Sequence, residues 1–141
     1  MILLDTNVVS EQVRPSPVPC VSEWLDAQPL ETLFLSAITV AEIRAGIALM
    51  PAGKRRQLLH EHIEKRVFPL FSGRILPFDM ACTQAYAEIL KKARQSGSGI
   101  QTADPLIASV ALVHGFSVAT RDVSPFVAAG LHVINPWEVH N

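Results

Sequence analysis

The chain is poor in several features that mark particular classes of protein. Its 141 residues include only two cysteines, and Cys20 and Cys82 lack the spacing of a metal site or a redox pair. Its apolar runs are interrupted well before the ~18 residues that a membrane-spanning helix requires. The first residues, MILLDTN, contain neither the basic region nor the cleavage site of a secretory signal. We therefore expect a protein of the reducing cytoplasm that does not associate with a membrane.

Several common catalytic signatures are also missing. His60 and His62 are two residues apart, whereas the zinc-binding HExxH motif places its histidines four apart on one helical face. The sequence contains no glycine-rich phosphate loop and no GxSxG segment. These absences argue against a zinc protease, a P-loop nucleotide hydrolase and a serine hydrolase.

The composition is that of a globular domain. Of the residues, 49% are hydrophobic and 18% are charged, and 141 residues suffice for one core without disulfides. We expect a single domain over residues 1–141. The 12 basic and 13 acidic residues give a net charge of −1, which by itself argues against nucleic-acid binding through bulk positive charge.

Strand-like and helix-like segments alternate along the chain. ILLD reads as a short buried strand, and RILPF, SVATRD and GLHVIN each contain a further strand candidate. Helical spacing follows Ser36, resumes at Lys54, begins again after the expected N-cap Asp79 and continues from TADPL to His114. This order predicts an α/β fold with a mostly parallel central sheet of about five short strands and helices on both faces.

Four acidic residues occupy related places in this predicted fold. Asp5 and Asp122 follow apolar strands, while Glu42 and Asp104 lie early in helices. Strands end and helices begin at the same edge of a parallel sheet, so the four side chains can meet in one crevice. Their mutual repulsion would be relieved by a hard divalent cation, for which oxygen ligands without histidine or cysteine are suitable.

Each of these acids also has a purely local interpretation. Asp5 can form a turn or a helix cap, Asp104 before Pro105 resembles an N-cap followed by an N1 proline, and Asp122 can begin a turn. Glu42 can be an ordinary solvated helical residue. The order of the four along strands and helices, rather than any one of them, favours a shared site.

The segments around these acids resemble a known family. LLDTN at Asp5, TVAEI at Glu42, TADPLIAS at Asp104 and ATRD at Asp122 are similar to the four acidic motifs of the PIN domain, the ribonuclease fold of VapC-type toxins. LSAITVAEIR, ILPFD and the terminal NPW resemble the FitB-like branch in particular. The resemblance covers essentially the whole chain.

This resemblance implies an endoribonuclease that depends on Mg²⁺ or Mn²⁺ and leaves a 5′-phosphate. The catalytic residues and metal ligands would be Asp5, Glu42, Asp104 and Asp122. Asn7 and Thr120 would orient the carboxylates through hydrogen bonds, although ordinary turn formation explains them equally well. Arg121 is a weaker candidate for contact with RNA phosphate.

The resemblance also implies partners. The protein would be the toxin of a type II toxin–antitoxin pair, held inactive by a small DNA-binding antitoxin. It would form a homodimer that can assemble with the antitoxin into a larger hetero-oligomer, and it would reach operator DNA only through that antitoxin.

Two other functions remain open from the sequence. One is a weakly catalytic or non-catalytic PIN scaffold that acts in a DNA-bound regulatory complex. The other is a Mg²⁺-dependent phosphoryl-transfer enzyme for small substrates, although no DxDG-type nucleophile motif is present.

Basic and aromatic residues away from the acids are a weaker signal for RNA binding. The 11-residue spacing of Lys54 and Lys65 would align them on a continuous α-helix as a basic stripe, but a solvated helix face is the preferred interpretation. Trp24 and Trp137 are assigned to packing or to an interface rather than to base stacking.

Overall fold

The fold is an α/β sandwich around one parallel sheet. A computed structural model describes residues 1–97 and 103–138. The five strands, all parallel, have the order β3-β2-β1-β4-β5. Their bounds are β1 Ile2–Leu4, β2 Leu33–Ser36, β3 Ile75–Leu76, β4 Ser117–Ala119 and β5 Val133–Ile134. The predicted fold class is therefore confirmed.

The helices connect the strands and cover both faces of the sheet. In the described residues they are α1 Thr6–Gln12, α2 Pro19–Asp26, α3 Ala37–Ala48, α4 Lys54–His62, α5 Met80–Ser96, α6 Ala103–His114 and α7 Val123–Ala128. Neighbouring β1 residues face opposite cores: Leu4 packs among residues of α1 to α4, whereas Leu3 packs among residues of α5 to α7. None of the helices in the described ranges has the length and apolar character needed to cross a bilayer.

The strand order creates a switch point beside β1. The chain proceeds from β1 through β2 to β3 on one side, then crosses to β4 on the other side. Leu4 of β1 pairs with Ala119 of β4, so Asp5 and Thr120 stand next to each other just beyond the strand ends. Crevices at such switch points are the usual ligand sites of open parallel sheets.

Local signals in the sequence predicted several helix boundaries. The Asp79 side chain accepts a hydrogen bond from the Cys82 N–H, which caps α5, and Gly97 ends that helix with a left-handed φ of 71°. Ser36 caps α3 through the Thr39 N–H. Glycine suits the Gly97 position because side chains rarely adopt positive φ.

Other expectations need correction. The helix from Lys54 is α-helical only to His62 and continues as a π-helical turn over Ile63–Val67, so the assumed α-helical alignment of Lys54 with Lys65 does not hold. Helical spacing predicts that His114 lies on the inner side of α6 with Ile107 and Ala111, but His114 is exposed. The segment SGSG at residues 96–99, whose composition resembles a linker, and the start of QTADPL lie partly outside the described residues.

Candidate functional site

Asp5 is a buried carboxylate at the end of the central strand. The residue is only 4% exposed, and its two side-chain oxygens have different donors. Oδ1 accepts the Thr6 N–H at 2.8 Å, which caps α1. Oδ2 accepts the Thr120 hydroxyl at 2.8 Å. Asp5 therefore caps α1 and also contacts the end of β4, so its local and its shared roles are both present. The two hydrogen bonds offset part of the free-energy cost of burying its carboxylate.

Thr120 connects Asp5 to the rest of the β4 end. Its hydroxyl oxygen accepts the Asp122 N–H at 3.0 Å and the Asn7 side-chain amide at 3.3 Å. Asn7 in turn accepts the Arg121 N–H at 3.4 Å. Thr120 thus contacts the Asp5 carboxylate directly, whereas the hydrogen bonds of Asn7 go to the Thr120 hydroxyl and the Arg121 backbone rather than to a carboxylate. The Asp122 side chain makes no capping bond to α7, so its carboxylate is not committed to helix capping.

Glu42 joins the site from α3 through two threonines. Its Oε1 accepts the Thr6 hydroxyl at 2.8 Å, and the buried Thr39 hydroxyl lies 3.1 Å from that of Thr6. Sequence reasoning did not select Thr6 or Thr39. Thr6 lies inside the motif LLDTN and Thr39 inside TVAEI, and their hydroxyls are the signal that could have identified them.

Asp104 lies in the first turn of α6 rather than at its cap. Its Oδ2 is buried and has no hydrogen-bond partner within the described residues. Burial, followed by the negative charges of Asp5, Asp122 and Glu42, raises the pKa of Asp104 to about 7 in total. All four predicted acids are therefore close enough to influence one another electrostatically.

The pKa of Asp5 is also raised, by less than that of Asp104. Burial is the main cause of its raised pKa, the hydrogen bonds from Thr120 and Thr6 oppose the increase, and Glu42 and Asp122 reinforce it. Two carboxylates with raised pKa values, Asp5 and Asp104, at a sheet switch point are typical of a functional site.

Two small recesses border the cluster through residues bonded to its acids, although Glu42 is the one acid of the four that lines either of them. One, of about 230 Å³, includes Thr6 and Glu42 among its lining residues; the other, of about 240 Å³, includes Asn7 and Arg121. A larger cavity of about 710 Å³ lies along α3 and α4 and is lined by none of the four acids. We give more weight to the small recesses, because the chemistry of a site depends on its charged groups rather than its size.

The oxygen atoms of the cluster are suited to a divalent cation that keeps part of its water shell. In residues 1–97 and 103–138, no three acidic, histidine or cysteine side chains are already arranged to hold a metal ion among themselves. Mg²⁺ usually takes only one or two carboxylates and keeps several waters. The unpartnered Asp104 oxygen and the neighbouring Asp122 and Asp5 provide such ligands, so the residues present fit a hydrated ion.

Comparison with known proteins identifies the family. The family described as "PIN domain" matches residues 2–129. This chain is a PIN-domain protein. It is 62% identical to the plasmid stability protein StbB of Pseudomonas syringae pv. tomato, over 98% of this chain and 99% of that protein. It is 55% identical to the VapC ribonuclease Y4jK of Sinorhizobium fredii, again over 98% and 99% of the two chains.

Solved structures agree with this assignment. The PIN domain superposes on a chain of FitAcB from Neisseria gonorrhoeae with a TM-score of 0.95 at 51% identity, covering 99% of this chain and 100% of the other. A structure of FitAB bound to an IR36 DNA fragment contains a chain with a TM-score of 0.95 at 50% identity, covering 100% and 99%. The expected resemblance to the FitB-like branch is confirmed.

Removing the Thr120 hydroxyl is expected to destabilise the PIN domain by about 1 to 3 kcal/mol. Thr120→Val keeps the shape but leaves the Asp122 N–H and the Asn7 amide without their acceptor and Asp5 Oδ2 without its donor. Thermal or urea unfolding of both proteins measures the change. Thr83→Val, at an exposed position of α5, is the matched control, and equal losses in the two variants would contradict the role assigned to Thr120.

Proposed function

We propose that this PIN domain is the toxin of a type II toxin–antitoxin system and a metal-dependent endoribonuclease. The observation that carries the proposal is the buried, unpartnered oxygen of Asp104 amid the negative charges of Asp5, Asp122 and Glu42. Such an arrangement is costly unless a cation joins it. The VapC ribonuclease name of the relative from Sinorhizobium fredii supports RNA as the substrate.

Mg²⁺ or Mn²⁺ is the proposed cofactor, with Asp104, Asp5, Asp122 and Glu42 holding it directly or through water. When bound, the ion supplies activation of a water molecule and stabilisation of negative charge on the phosphoryl group. The surrounding residues define the geometry around it. Thr120 and Thr6 hold Asp5 through opposite oxygens, and Thr6 also fixes Glu42.

The residues that orient the carboxylates also leave one side open for substrate. Arg121 is exposed beside the cluster, and its backbone N–H is held by Asn7. Its guanidinium can therefore neutralise a phosphate that approaches the acids, as Arg does in most contacts with nucleic-acid backbone. The low net charge of the whole chain is no obstacle, because 12 basic residues face only nine acidic ones once the four site acids are set apart from the 13.

We further propose that a small DNA-binding antitoxin holds the toxin inactive and links it to operator DNA. The FitAB structure with an IR36 DNA fragment supports this partner class. The toxin itself is proposed to form a homodimer that can join a larger hetero-oligomer with the antitoxin. A reducing cytoplasm is the proposed location, and Cys20 and Cys82 are free thiols.

The alternative is a PIN scaffold that serves mainly within a DNA-bound regulatory complex. The FitAB complex with DNA is the observation in its favour. The retained acidic cluster is the observation against it, since a scaffold gains nothing from placing four carboxylates together.

Purified toxin, freed of its partner, is expected to cleave single-stranded RNA when Mg²⁺ or Mn²⁺ is present. EDTA should stop the cleavage because the carboxylates alone repel the phosphate backbone, and added Mg²⁺ in excess should restore it. Gel analysis of a 5′-labelled RNA, with and without each metal, measures both effects. Cleavage that persists unchanged in EDTA would overturn the metal-dependent mechanism, and the absence of turnover with either metal would favour the scaffold.

A further inference from the structure

A second recess beside the acidic cluster contains polar groups that the proposed mechanism does not use. This recess, here called the Trp137 recess, has a volume of about 240 Å³ and is lined by Asn7, Ser10, Glu11, Arg14, Arg121 and Trp137. It shares Asn7 and Arg121 with the hydrogen-bond network of the acidic cluster. A group bound here would therefore lie next to the reacting phosphate.

Glu11 is the most unusual residue in the Trp137 recess. It is only 4% exposed, and its Oε2 is buried without a hydrogen-bond partner among the described residues. Its Oε1 has one contact, to the Arg14 guanidinium at 3.5 Å, which is long for a hydrogen bond. A buried carboxylate with so little compensation costs free energy that a ligand with hydrogen-bond donors would recover.

Trp137 provides an unpartnered donor in the same recess. Its indole N–H is buried and has no acceptor in the part of the chain that is described. The residue itself is well fixed: its backbone N–H donates to the Asn135 side chain at 2.9 Å, and its carbonyl accepts the Cys20 thiol. The backbone of Trp137 is thus fixed, and its indole N–H is an unpartnered donor on a residue that lines the same recess as Glu11.

The recess also has a flat, positively charged wall. The Arg121 guanidinium lies 5.4 Å from the centroid of the Trp137 ring. The Arg14 side chain is 64% exposed, so it is free to turn from Glu11 towards solvent. Arginine planes are common stacking surfaces for unpaired RNA bases, and arginines also bind the adjoining phosphates.

These observations indicate the kind of base that fits. Among the four RNA bases, only guanine places two donors, its N1–H and its amino group, side by side on the Watson–Crick edge, which matches a carboxylate. Adenine and cytosine present one amino group beside an acceptor nitrogen, and the N–H of uracil lies between two carbonyl oxygens, so each would turn an acceptor towards Glu11. Unpaired RNA bases are commonly recognised along this edge.

We propose that the Trp137 recess binds a guanine next to the cleaved phosphodiester. Glu11 accepts the guanine donors, the Trp137 indole N–H donates to the bound nucleotide, and Arg121 stacks on the base. This assignment rests on the nuclease function proposed above and adds a preference for guanosine beside the cut.

The first test uses short uridine-rich RNAs that differ at a single position. Cleavage next to guanosine is expected to be about tenfold faster than next to adenosine, cytidine or uridine, which is in the range of one well-formed base contact. Inosine, which lacks the amino group of guanine, should lose most of this advantage. Equal cleavage beside all of these nucleosides would overturn the proposal while leaving the nuclease function intact.

Glu11→Gln tests the residue directly. The amide keeps the size of the side chain but offers only one acceptor, so KM for the guanosine RNA is expected to rise about tenfold with a smaller change in kcat. Glu31→Gln, at an exposed position, is the matched control and should alter neither constant. If Glu11→Gln fails to fold by circular dichroism, the inosine RNA still tests the same contact without changing the protein.

A binding measurement separates this inference from the nuclease function. In ¹⁵N-labelled protein, the Trp137 indole N–H resonance, assigned with a Trp24→Phe variant, is expected to shift with GMP and much less with AMP, CMP, UMP or ribose 5-phosphate. Glu11→Gln should remove the difference between GMP and AMP. Equal shifts with all nucleotides, or no shift with GMP, would contradict the guanine site even in a protein that cleaves RNA. A selective GMP shift in a protein without RNA turnover would support the site and refute the nuclease.

Discussion

Asp5→Asn is expected to lower the rate of RNA cleavage by about 10³-fold, the scale of losing one positioned charged group at a reaction centre. The introduced amide retains an oxygen that can accept the Thr6 N–H, so the cap of α1 survives. What is lost is the negative charge near the other three acids, together with the acceptor of the Thr120 hydroxyl. The loss should therefore appear in kcat and in the concentration of Mg²⁺ required, with little change in the folded structure.

Asp79→Asn is the control, because it makes the same substitution at the N-cap of another helix. Asp79 is also an N-cap aspartate, since its side chain accepts the Cys82 N–H at 3.3 Å. It is exposed and is not among the causes of the raised pKa of Asp104. Initial rates with labelled RNA, measured over a range of Mg²⁺, compare the two variants. Activity of Asp5→Asn within a few-fold of the original protein would refute the assignment of Asp5 to the site.

The relative positions of the acids could be anticipated because they follow from sheet topology. Apolar runs that end on Asp5 and Asp122 predicted two strand ends, and alternation with helices predicted a parallel sheet. The structure places β1 and β4 side by side, as this reasoning required. Sequence could not show that Thr120 bonds to Asp5, because that contact depends on the register of two strands whose bonded residues are 115 positions apart.

The short elements of the first third are harder to anticipate. The segments TNVVSEQ and PCVSEWLD form α1 and α2, yet neither has a helical signal strong enough to predict it. Asn, Val and Ser are weak helix formers, and α1 is only seven residues long. Its stability comes from the Asp5 cap and from Val8 and Val9, which are buried in the core beside Leu4.

The buried polar groups of the Trp137 recess could not be predicted from sequence patterns either. Glu11 lies on a short helix with no motif around it, and a glutamate on a helix is ordinarily exposed. Trp137 was assigned to packing, which its contact with the core supports, but its unpartnered indole N–H is a property of the folded structure alone. Such groups become evident only when every buried donor and acceptor has been matched.

Asp104→Asn is expected to stabilise the metal-free protein at pH 8 by about 1 to 2 kcal/mol, or roughly 4 to 8 °C in Tm. The pKa of Asp104 is raised to about 7 in the folded protein from 3.8, so folding favours its protonated form. Between these two values the folded state holds a proton that the unfolded state has lost, and stability falls as pH rises through this window. The expected stabilisation of about 1 to 2 kcal/mol is smaller than the full pKa shift implies, because Asp104 is only partly buried and water screens its charge.

The difference in stability between the variant and the original protein should grow as pH rises from about 4 to about 7 and stay constant above that. At about pH 3 Asp104 is protonated in both the folded and the unfolded state, so asparagine changes little, whereas at about pH 8 the original protein bears a fourth negative charge in the cluster. Melting curves across this range in EDTA measure the difference. Asp26→Asn, an exposed position on α2, is the control and should follow the original pH profile. Parallel profiles for Asp104→Asn and the original protein would show that Asp104 does not titrate in this range.

Adding Mg²⁺ to the same melting experiment tests the metal site, because the bound ion would take the place of the proton on Asp104. At about 100 times its Kd, an ion that binds only the folded state adds about 2.7 kcal/mol of stability. The original protein at pH 8 should gain stability with Mg²⁺, and Asp104→Asn should gain much less because the unpartnered carboxylate oxygen is gone. Equal gains would place the metal away from Asp104 and would refute the arrangement of ligands on which the proposed nuclease depends.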